Sequence, residues 1–185
     1  MLIRKYNNYE KYLEHQRQKS TNNKRVEKWL GEDWQPKVDM FLDHFKRNKK
    51  YLKGKALGIC ARTGQEIEAM NQLGLDAIGV DIVAYPPLVI EGDAHNLPFN
   101  DSTFDFVFSN SLDHSIFPEL FLSEMIRVTK GYGMLHLQLT DQVDAYAENI
   151  YTDEQEVIKM LKGVEVVENK KIEDICYNRE IIFKK

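Results

Sequence analysis

Hydrophobic and polar positions follow two different patterns along this chain. In residues 1–53 the apolar positions recur every three or four residues, which is the spacing of amphipathic helices. One such helix is predicted over Val38–Tyr51 and an earlier one over Asn8–Gln18, with Gly31 and Pro36 in the segment between them. Beyond residue 53, short apolar runs alternate with amphipathic stretches, which is typical of strands that alternate with helices.

The alternating part predicts an α/β fold. Strands are expected at Ala56–Cys60, Ala77–Val80, Leu88–Ile90, Phe104–Ser109 and Met134–Leu139, and helices at Gln65–Leu73, Pro118–Val128 and Thr152–Leu161. Gly131–Gly133 is expected to be the turn before the fifth strand, and Thr152 and Gln155 are expected to form a capping box. The last two strands, Val164–Val167 and Ile175–Phe183, are expected to pair antiparallel.

This order of elements implies a doubly wound, mostly parallel, Rossmann-like sheet with helices on both faces. A terminal antiparallel strand pair closes the sheet. We expect residues 1–53 to form an N-terminal helical extension and residues 54–185 to form the main domain.

Composition limits the classes of partner. The net charge of −4 gives no reason to expect nucleic acid or an acidic membrane surface as a partner. Cys60 and Cys176 match no metal-binding spacing, and two unpaired thiols indicate the cytoplasm. No apolar run approaches the length of a membrane span, and the first residues are too polar for a signal peptide.

Polar residues follow four of the predicted strands, where ligands bind in open parallel sheets. The first loop, Cys60–Gly64, leads into a helix whose N-terminal amides can receive a carboxylate. Asp81 is placed for a ribose diol, and Asp93 for an adenine amino group, with the next amide donating to the ring. The alternatives are an ordinary strand-to-helix turn for the loop, and caps or Asx-turns for the two carboxylates. Ser109 and Asn110 either form the floor of the same pocket or cap the strand.

Four short sequence motifs contain these residues and occur in one order along the chain: CARTG in the first loop, GVD ending at Asp81, GDAHNLPF with Asp93, and FDFVFSNSLDH. In this combination, residues 55–139 resemble a class I S-adenosylmethionine-dependent methyltransferase of the type 11-like kind. The strings "GARxGxE", "YPPLV" and "SNxxDH" also resemble an uncharacterised subset that is common in plants. The resemblance implies a methyltransferase with S-adenosylmethionine as its cofactor and a small-molecule acceptor.

The resemblance also assigns roles to residues. Asp81 would hold the ribose hydroxyls, Asp93 the adenine amino group, and the first loop the methionine end. The expected cofactor-binding residues are Cys60, Ala61, Arg62, Thr63, Gly64, Asp81, Ile82, Gly92, Asp93, Ala94, Ser109 and Asn110.

The first loop departs from the family pattern at three positions. The usual acid at the end of the first strand falls at Gly58, and two glycine positions are Cys60 and Arg62. A side chain at a glycine position can exclude close backbone approach or a positive φ. Arg62 either pairs with the methionine carboxylate or fills the pocket, and Glu66 is a candidate replacement acid.

Asp113 and His114 follow the fourth strand and are the candidate catalytic residues, since a base is needed only where the acceptor must lose a proton. The alternative is a structural histidine.

His15, His44 and His136 have no partner cluster in the sequence that suggests a metal. The aromatic N-terminal helices either form a lid or simply dock onto the sheet. A degenerate, non-catalytic protein with a regulatory or binding role is the alternative function, and a nicotinamide dehydrogenase is disfavoured because no G-x-G-x-x-G follows the first strand.

Overall fold

A seven-stranded sheet forms the centre of the molecule. The computed structural model describes residues 3–142, 147–173 and 176–185. The strands are β1 (Lys55–Ile59), β2 (Asp76–Asp81), β3 (Val89–Glu91), β4 (Phe104–Ser109), β5 (Thr129–Leu137), β6 (Glu165–Lys171) and β7 (Arg179–Lys184). Their order in the sheet is β3-β2-β1-β4-β5-β7-β6. The first five strands are parallel, and β7 is antiparallel to both β5 and β6.

Six α-helices accompany these strands in the described residues: α1 (Tyr9–Ser20), α2 (Asn23–Leu30), α3 (Trp34–Arg47), α4 (Gln65–Gln72), α5 (Pro118–Val128) and α6 (Glu154–Ile158). One face of the sheet packs against α3 and α4, and the other packs against α5 and α6. The mostly parallel, doubly wound fold with its antiparallel end is therefore confirmed. No helix of the described ranges is long and apolar enough to cross a membrane.

The N-terminal helices differ in how they attach to the sheet. Helix α3 buries Val38, Phe41 and Phe45, which pack in the same core as Phe106 and Phe108 of β4. Helix α1 buries only Tyr12, and α2 buries no residue. Helices α1 and α2 therefore remove less apolar surface from water than α3 does, and polar contacts contribute more to their position.

Helix α3 runs over Trp34–Arg47 instead of the predicted Val38–Tyr51, so Pro36 lies in its first turn. Three further details differ from the sequence-based prediction. Helix α2 was missed, because Asn22 accepts a hydrogen bond from the Arg25 amide and starts a helix in the segment between the two predicted helices. Gly131–Gly133 lies inside β5 and is not a turn. Those glycines are required by packing, since a Cβ at Gly131 would lie 2.5 Å from the Asp105 carbonyl oxygen and one at Gly133 would overlap Phe183.

The third difference concerns the start of α6. The capping residue is Asp153 and its reciprocal partner is Glu156, one residue later than predicted for both positions. A carboxylate serves in each position of the capping box as well as the hydroxyl and amide that we expected. The final strand pair is antiparallel as predicted, although Ile175, its expected first residue, lies outside the described residues.

Candidate functional site

A roofed cavity of about 440 Å³ lies at the carboxyl ends of β1, β2, β3 and β4. Its floor comes from the loops after these strands, and its roof comes from α1 and α2. The floor residues are Cys60, Arg62, Val80, Asp81, Ile82, Gly92, Asp93, Ala94, His95, Ser111, His114 and Ser115. The cavity therefore lies where strand order reverses, which is the usual ligand position in such a sheet.

The first loop keeps the backbone of a glycine-rich turn without the glycines. Cys60 has φ 60° and Arg62 has φ 51°, both in the left-handed region, and Gly64 follows with φ 95°. L-residues adopt this region at a cost of about 1–2 kcal/mol each. The expectation that a side chain at positions 60 and 62 can exclude a positive φ is therefore wrong for this chain.

The Arg62 side chain points to the roof of the cavity. Its guanidinium carbon lies 4.5 Å from the ring centroid of Trp29 in α2. The carbonyl oxygen of Trp29 accepts a hydrogen bond of 2.8 Å from the side-chain amide of Gln65, the first residue of α4. The first loop and the first residue of α4 thus both contact α2 over the cavity, and sequence reasoning missed this because the partners are more than 30 residues apart.

Asp81 ends β2 and is buried beside the first loop. Its Oδ2 accepts a hydrogen bond of 2.9 Å from the Arg62 amide, and its Oδ1 accepts one of 3.3 Å from the Val83 amide. Burial raises the pKa of the Asp81 carboxyl above its ordinary value, and the hydrogen bond from the Arg62 backbone opposes that rise. The carboxylate is thus fixed in orientation and lines the cavity.

Asp93 joins the floor of the cavity to the roof. Its Oδ1 accepts a 2.8 Å bond from the His95 amide, and its Oδ2 accepts a 2.5 Å bond from the Tyr9 hydroxyl in α1. Burial alone would raise the pKa of Asp93, but the hydrogen bonds from His95 and Tyr9 lower it to about 2. A carboxylate held in this way is charged at neutral pH and can accept a further hydrogen bond from a ligand.

Cys60 lines the cavity between these two carboxylates. Burial raises the pKa of its thiol well above the ordinary value, and the charges of Asp81 and Asp93 add to the rise. The thiol form is therefore favoured, and because the thiolate is the nucleophilic form, this residue contributes shape and not reactivity.

Glu66 lies close to the position of the missing acid. A Cβ built on Gly58 would be 3.5 Å from Cγ of Glu66, so the two positions are neighbours in space although eight residues apart. Glu66 is buried, and burial raises the pKa of its carboxyl to about 7. A carboxyl with such a pKa takes up or releases a proton easily near neutral pH.

Several of the predicted cofactor-binding residues lie behind the cavity wall. The Ser109 hydroxyl donates to the Ile59 carbonyl oxygen at 3.0 Å, and the Asn110 side-chain amide donates to the Tyr177 hydroxyl at 2.8 Å. Thr63 is buried and donates to Gln65. The neighbouring Ser111, which we had not assigned, lines the cavity instead. Ala61 and Gly64 support the turn through their backbone, since the Gly64 amide donates to the Ala61 carbonyl oxygen.

His114 lines the cavity, next to Asp113 in the loop after β4. Its Nε2 lies 3.9 Å from Oδ2 of Asp113, and its Nδ1 lies 3.4 Å from Oε2 of Glu148. Glu148 is fully buried and was not found from the sequence, because it is 34 residues away in a segment without a motif. The structure thus brings His114 close to two carboxylates at this end of the cavity.

His44 and His136 form a buried group with Glu180 on the α3 side of the sheet, with possible ligand atoms within 4.8 Å of one another. The expectation that these histidines have no partner cluster is wrong, because their partner is 44 residues beyond His136 in the chain. Glu180 already accepts hydrogen bonds from His136 and Asn48 at 2.9 Å and lies 2.9 Å from Nζ of Lys170. A metal ion there would have to displace Lys170, so this group is accounted for by its ion pair.

Comparison with known proteins agrees with this geometry. Residues 57–137, from β1 to the end of β5, match the family described as "Methyltransferase domain". This segment is a methyltransferase domain. The methyltransferase family expected from the sequence is thereby confirmed for this segment, whereas the plant-like subset stays a prediction.

Relatives of this methyltransferase domain cover different shares of the chain. Demethylmenaquinone methyltransferase of Paenarthrobacter aurescens (strain TC1) is 33% identical over 111 residues, which is 54% of this chain and 44% of the relative. The chain therefore matches less than half the length of that protein. Magnesium protoporphyrin IX methyltransferase from Synechocystis PCC 6803, solved with bound SAM, covers 98% of this chain and 100% of its own at TM-score 0.72 and 12% identity. A SAM-dependent methyltransferase from Aquifex aeolicus covers 83% and 95%, respectively, at TM-score 0.62 and 18% identity.

Proposed function

We propose that this chain binds S-adenosylmethionine in the roofed cavity and methylates a small-molecule acceptor. The observation that carries the proposal is the pair of fixed carboxylates, Asp81 and Asp93, on the floor of a cavity inside a methyltransferase domain. Their oxygens can accept the hydrogen bonds that a ribose diol and an adenine amino group donate. Bound there, the cofactor would supply a methyl group activated by a sulfonium.

The three parts of the cofactor can each be assigned to residues in or next to the cavity. We assign the ribose to Asp81, and the adenine to Asp93 and the Ala94 amide, with Ile82 against the ring. The left-handed backbone at Cys60 and Arg62 leaves room for the methionine end, as glycines do in the family pattern. The Arg62 guanidinium would pair with the methionine carboxylate and Glu66 would accept from the ammonium, which compensates for Gly58.

The acceptor side lies at His114. An acceptor held next to the methyl group needs mainly proximity and alignment, since methyl transfer is a single displacement. Where the acceptor must lose a proton, His114 is placed to take it, with Asp113 beside it. The roof formed by α1 and α2 limits the acceptor to a small molecule unless these helices move away.

We expect the protein to act in the cytoplasm, since no disulfide joins Cys60 and Cys176. The division into an extension of residues 1–53 and a main domain of residues 54–185 also stays a proposal. Helix α3 belongs to the extension by this division, although its side chains pack in the core of the sheet.

Calorimetric titration with S-adenosylmethionine and S-adenosylhomocysteine tests the proposal. We expect binding in the micromolar range for both ligands. No binding at millimolar ligand would overturn it and would favour the non-catalytic alternative, in which Arg62 and Trp29 close the site. After binding is established, acceptors can be screened with radiolabelled cofactor, with demethylmenaquinone, the acceptor in the relative's name, as one member of the panel.

A further inference from the structure

The Tyr9 hydroxyl of α1 contacts two side chains of the cavity floor. It donates a hydrogen bond to Oδ2 of Asp93 at 2.5 Å, and its oxygen lies 2.8 Å from Nδ1 of His95. Burial raises the pKa of the Tyr9 hydroxyl, and the hydrogen bond to Asp93 raises it further, so the hydroxyl keeps its proton at neutral pH. Because this single proton is donated to Asp93, the Tyr9 oxygen can only accept a hydrogen bond from His95.

These contacts determine which nitrogen of His95 carries a proton. Nδ1 lies 2.8 Å from the Tyr9 oxygen and 3.1 Å from Oδ1 of Asp93, so it faces two acceptors and must be protonated. Nε2 lies 2.7 Å from Oγ of Ser115 and, in the neutral ring, accepts its hydrogen bond. A chain of hydrogen bonds therefore runs from Ser115 through His95 and Tyr9 and ends at Asp93, and each bond strengthens the next.

Ring contacts hold the Tyr9 side chain in this position. Its ring stacks on Phe117 with the centroids 5.8 Å apart and the planes 18° apart. It also lies 5.5 Å from the ring of Tyr12 and 5.7 Å from that of His95. These neighbours restrict the rotation of the side chain, so the hydroxyl stays directed at Asp93 while α1 is docked.

Asp93 keeps room for one more donor. A carboxylate has about four lone-pair sites. Oδ1 accepts from the His95 amide and faces Nδ1 of the same residue, and Oδ2 accepts from Tyr9. Within the described residues, one site of Oδ2 is thus left, on the oxygen that Tyr9 orients. A ligand amino group can bind there, whereas a ligand oxygen would face a charged carboxylate that has no proton to donate.

We infer that Tyr9 is a positioning residue for the base of the ligand, which holds Oδ2 of Asp93 in place for an amino group. The cavity therefore selects adenine over a base that has an oxygen at that position. Tyr9 itself does not line the cavity and acts through Asp93. By linkage, the docking of α1 and the binding of adenine strengthen each other. The inference rests on the proposed function in one respect, which is that the adenine lies at Asp93.

Two ligands test this selectivity: S-adenosylhomocysteine and S-inosylhomocysteine, in which an oxygen replaces the adenine amino group. We expect calorimetry of the wild-type full chain to show a preference of about 30-fold or more for S-adenosylhomocysteine. Tyr9→Phe should reduce this preference by about fivefold or more, because it weakens only the ligand with the amino group. A roof that is merely loosened would weaken both ligands equally, so an unchanged preference in Tyr9→Phe would overturn the inference.

Tyr12→Phe is the matched control. Tyr12 lies on the same helix, and its hydroxyl also joins α1 to the floor, where it donates to the His114 carbonyl oxygen at 3.0 Å. Its hydroxyl has no hydrogen bond to Asp93 in the part of the chain that the structure describes. We expect this variant to weaken both ligands by the same factor and to keep the preference within about twofold of the wild type. An equal loss of preference in the two variants would contradict the role of Tyr9.

Amide hydrogen exchange of the wild-type protein provides a test without a variant. At saturation, we expect S-adenosylhomocysteine to slow exchange in α1 by about fivefold or more beyond S-inosylhomocysteine, since only the first ligand adds a donor to the carboxylate that holds Tyr9. Equal protection by the two ligands would overturn the coupling. A wild-type protein that binds neither ligand contradicts the proposed function and the inference with it. A protein that binds S-adenosylhomocysteine but keeps its preference in Tyr9→Phe contradicts the role of Tyr9 alone.

Discussion

The backbone amide of Arg62 donates a hydrogen bond of 2.9 Å to Oδ2 of Asp81. This bond joins the loop after β1 to the end of β2, and it is possible because Arg62 has a left-handed backbone that directs its amide toward the carboxylate. The main chain at position 62 therefore adopts the conformation that a glycine would adopt there. The Arg62 side chain has a separate role, because it stacks on Trp29 of the roof.

Replacement of Asp81 tests the ribose assignment. We expect Asp81→Asn to lower the affinity for S-adenosylhomocysteine by about 10- to 100-fold, since hydrogen bonds to a charged group contribute about 1.5–3 kcal/mol each. Asp76→Asn, at the exposed start of the same strand, is the control and should bind normally. Calorimetry measures both, and an unchanged affinity of Asp81→Asn would contradict the assignment.

Variants of Cys60 test the energetic cost of placing a residue other than glycine in the left-handed backbone region. We expect Cys60→Gly to be more stable than Cys60→Ala by about 1 kcal/mol, because both remove the thiol but only alanine keeps the penalty at φ 60°. Chemical denaturation gives the free energy of unfolding of each variant. Equal stabilities would indicate that the loop relaxes out of the left-handed region.

Gly64 and Gly74 form a natural pair, since both have positive φ but only Gly64 is crowded. A Cβ at Gly64 would lie 3.0 Å from Cβ of Leu88, whereas at Gly74 it meets nothing within 4 Å. We expect Gly74→Ala to cost about 1–2 kcal/mol of unfolding free energy from the backbone alone. Gly64→Ala should cost about 1–3 kcal/mol more, because its added Cβ would also be crowded by Leu88 and by Val89 of β3. Thermal or chemical denaturation of the two variants gives this difference, and equal costs would show that Leu88 yields without strain.

Glu66 makes stability depend on pH. Burial raises the pKa of its carboxyl from 4.5 to about 7, so the folded state holds the proton more tightly than the unfolded state. The stabilisation is therefore fully present below pH 4.5 and is lost as the pH rises through about 7. Relative to Glu66→Gln, the wild-type free energy of unfolding should fall by up to about 3 kcal/mol across that window. Denaturation at several pH values measures it, and parallel curves for the two proteins would contradict the shift.

Glu66 also tests whether its carboxylate replaces the acid that the family pattern has at the position of Gly58. If the Glu66 carboxylate accepts from the methionine ammonium, ligand binding at pH 6 should release a proton from it. Calorimetry of S-adenosylhomocysteine binding in buffers of different ionisation enthalpy counts this proton. The count should decrease in Glu66→Gln, and an equal count in the two proteins would place the ammonium elsewhere.

The sequence by itself determined the type and order of most elements and the two carboxylates that line the cavity. Asp81 and Asp93 follow short apolar strands, and parallel strands bring their carboxyl ends to one edge, so the two side chains could be placed from local patterns alone. Helix periodicity likewise located α3 and α5, because apolar residues three or four positions apart in the sequence mark one face of a helix.

The tertiary structure alone decided which residues cover the floor of the cavity. The contacts of Tyr9 with Asp93, Trp29 with Arg62 and Glu148 with His114 join residues that are 84, 33 and 34 positions apart. No periodicity or motif records such pairs. The first two form only when helices α1 and α2 lie over the sheet, and the third forms only when the segment around Glu148 packs beside the loop after β4. The same holds for Gly131 and Gly133, where the sequence alone suggests a turn, whereas close packing against Asp105 and Phe183 explains both glycines inside a strand.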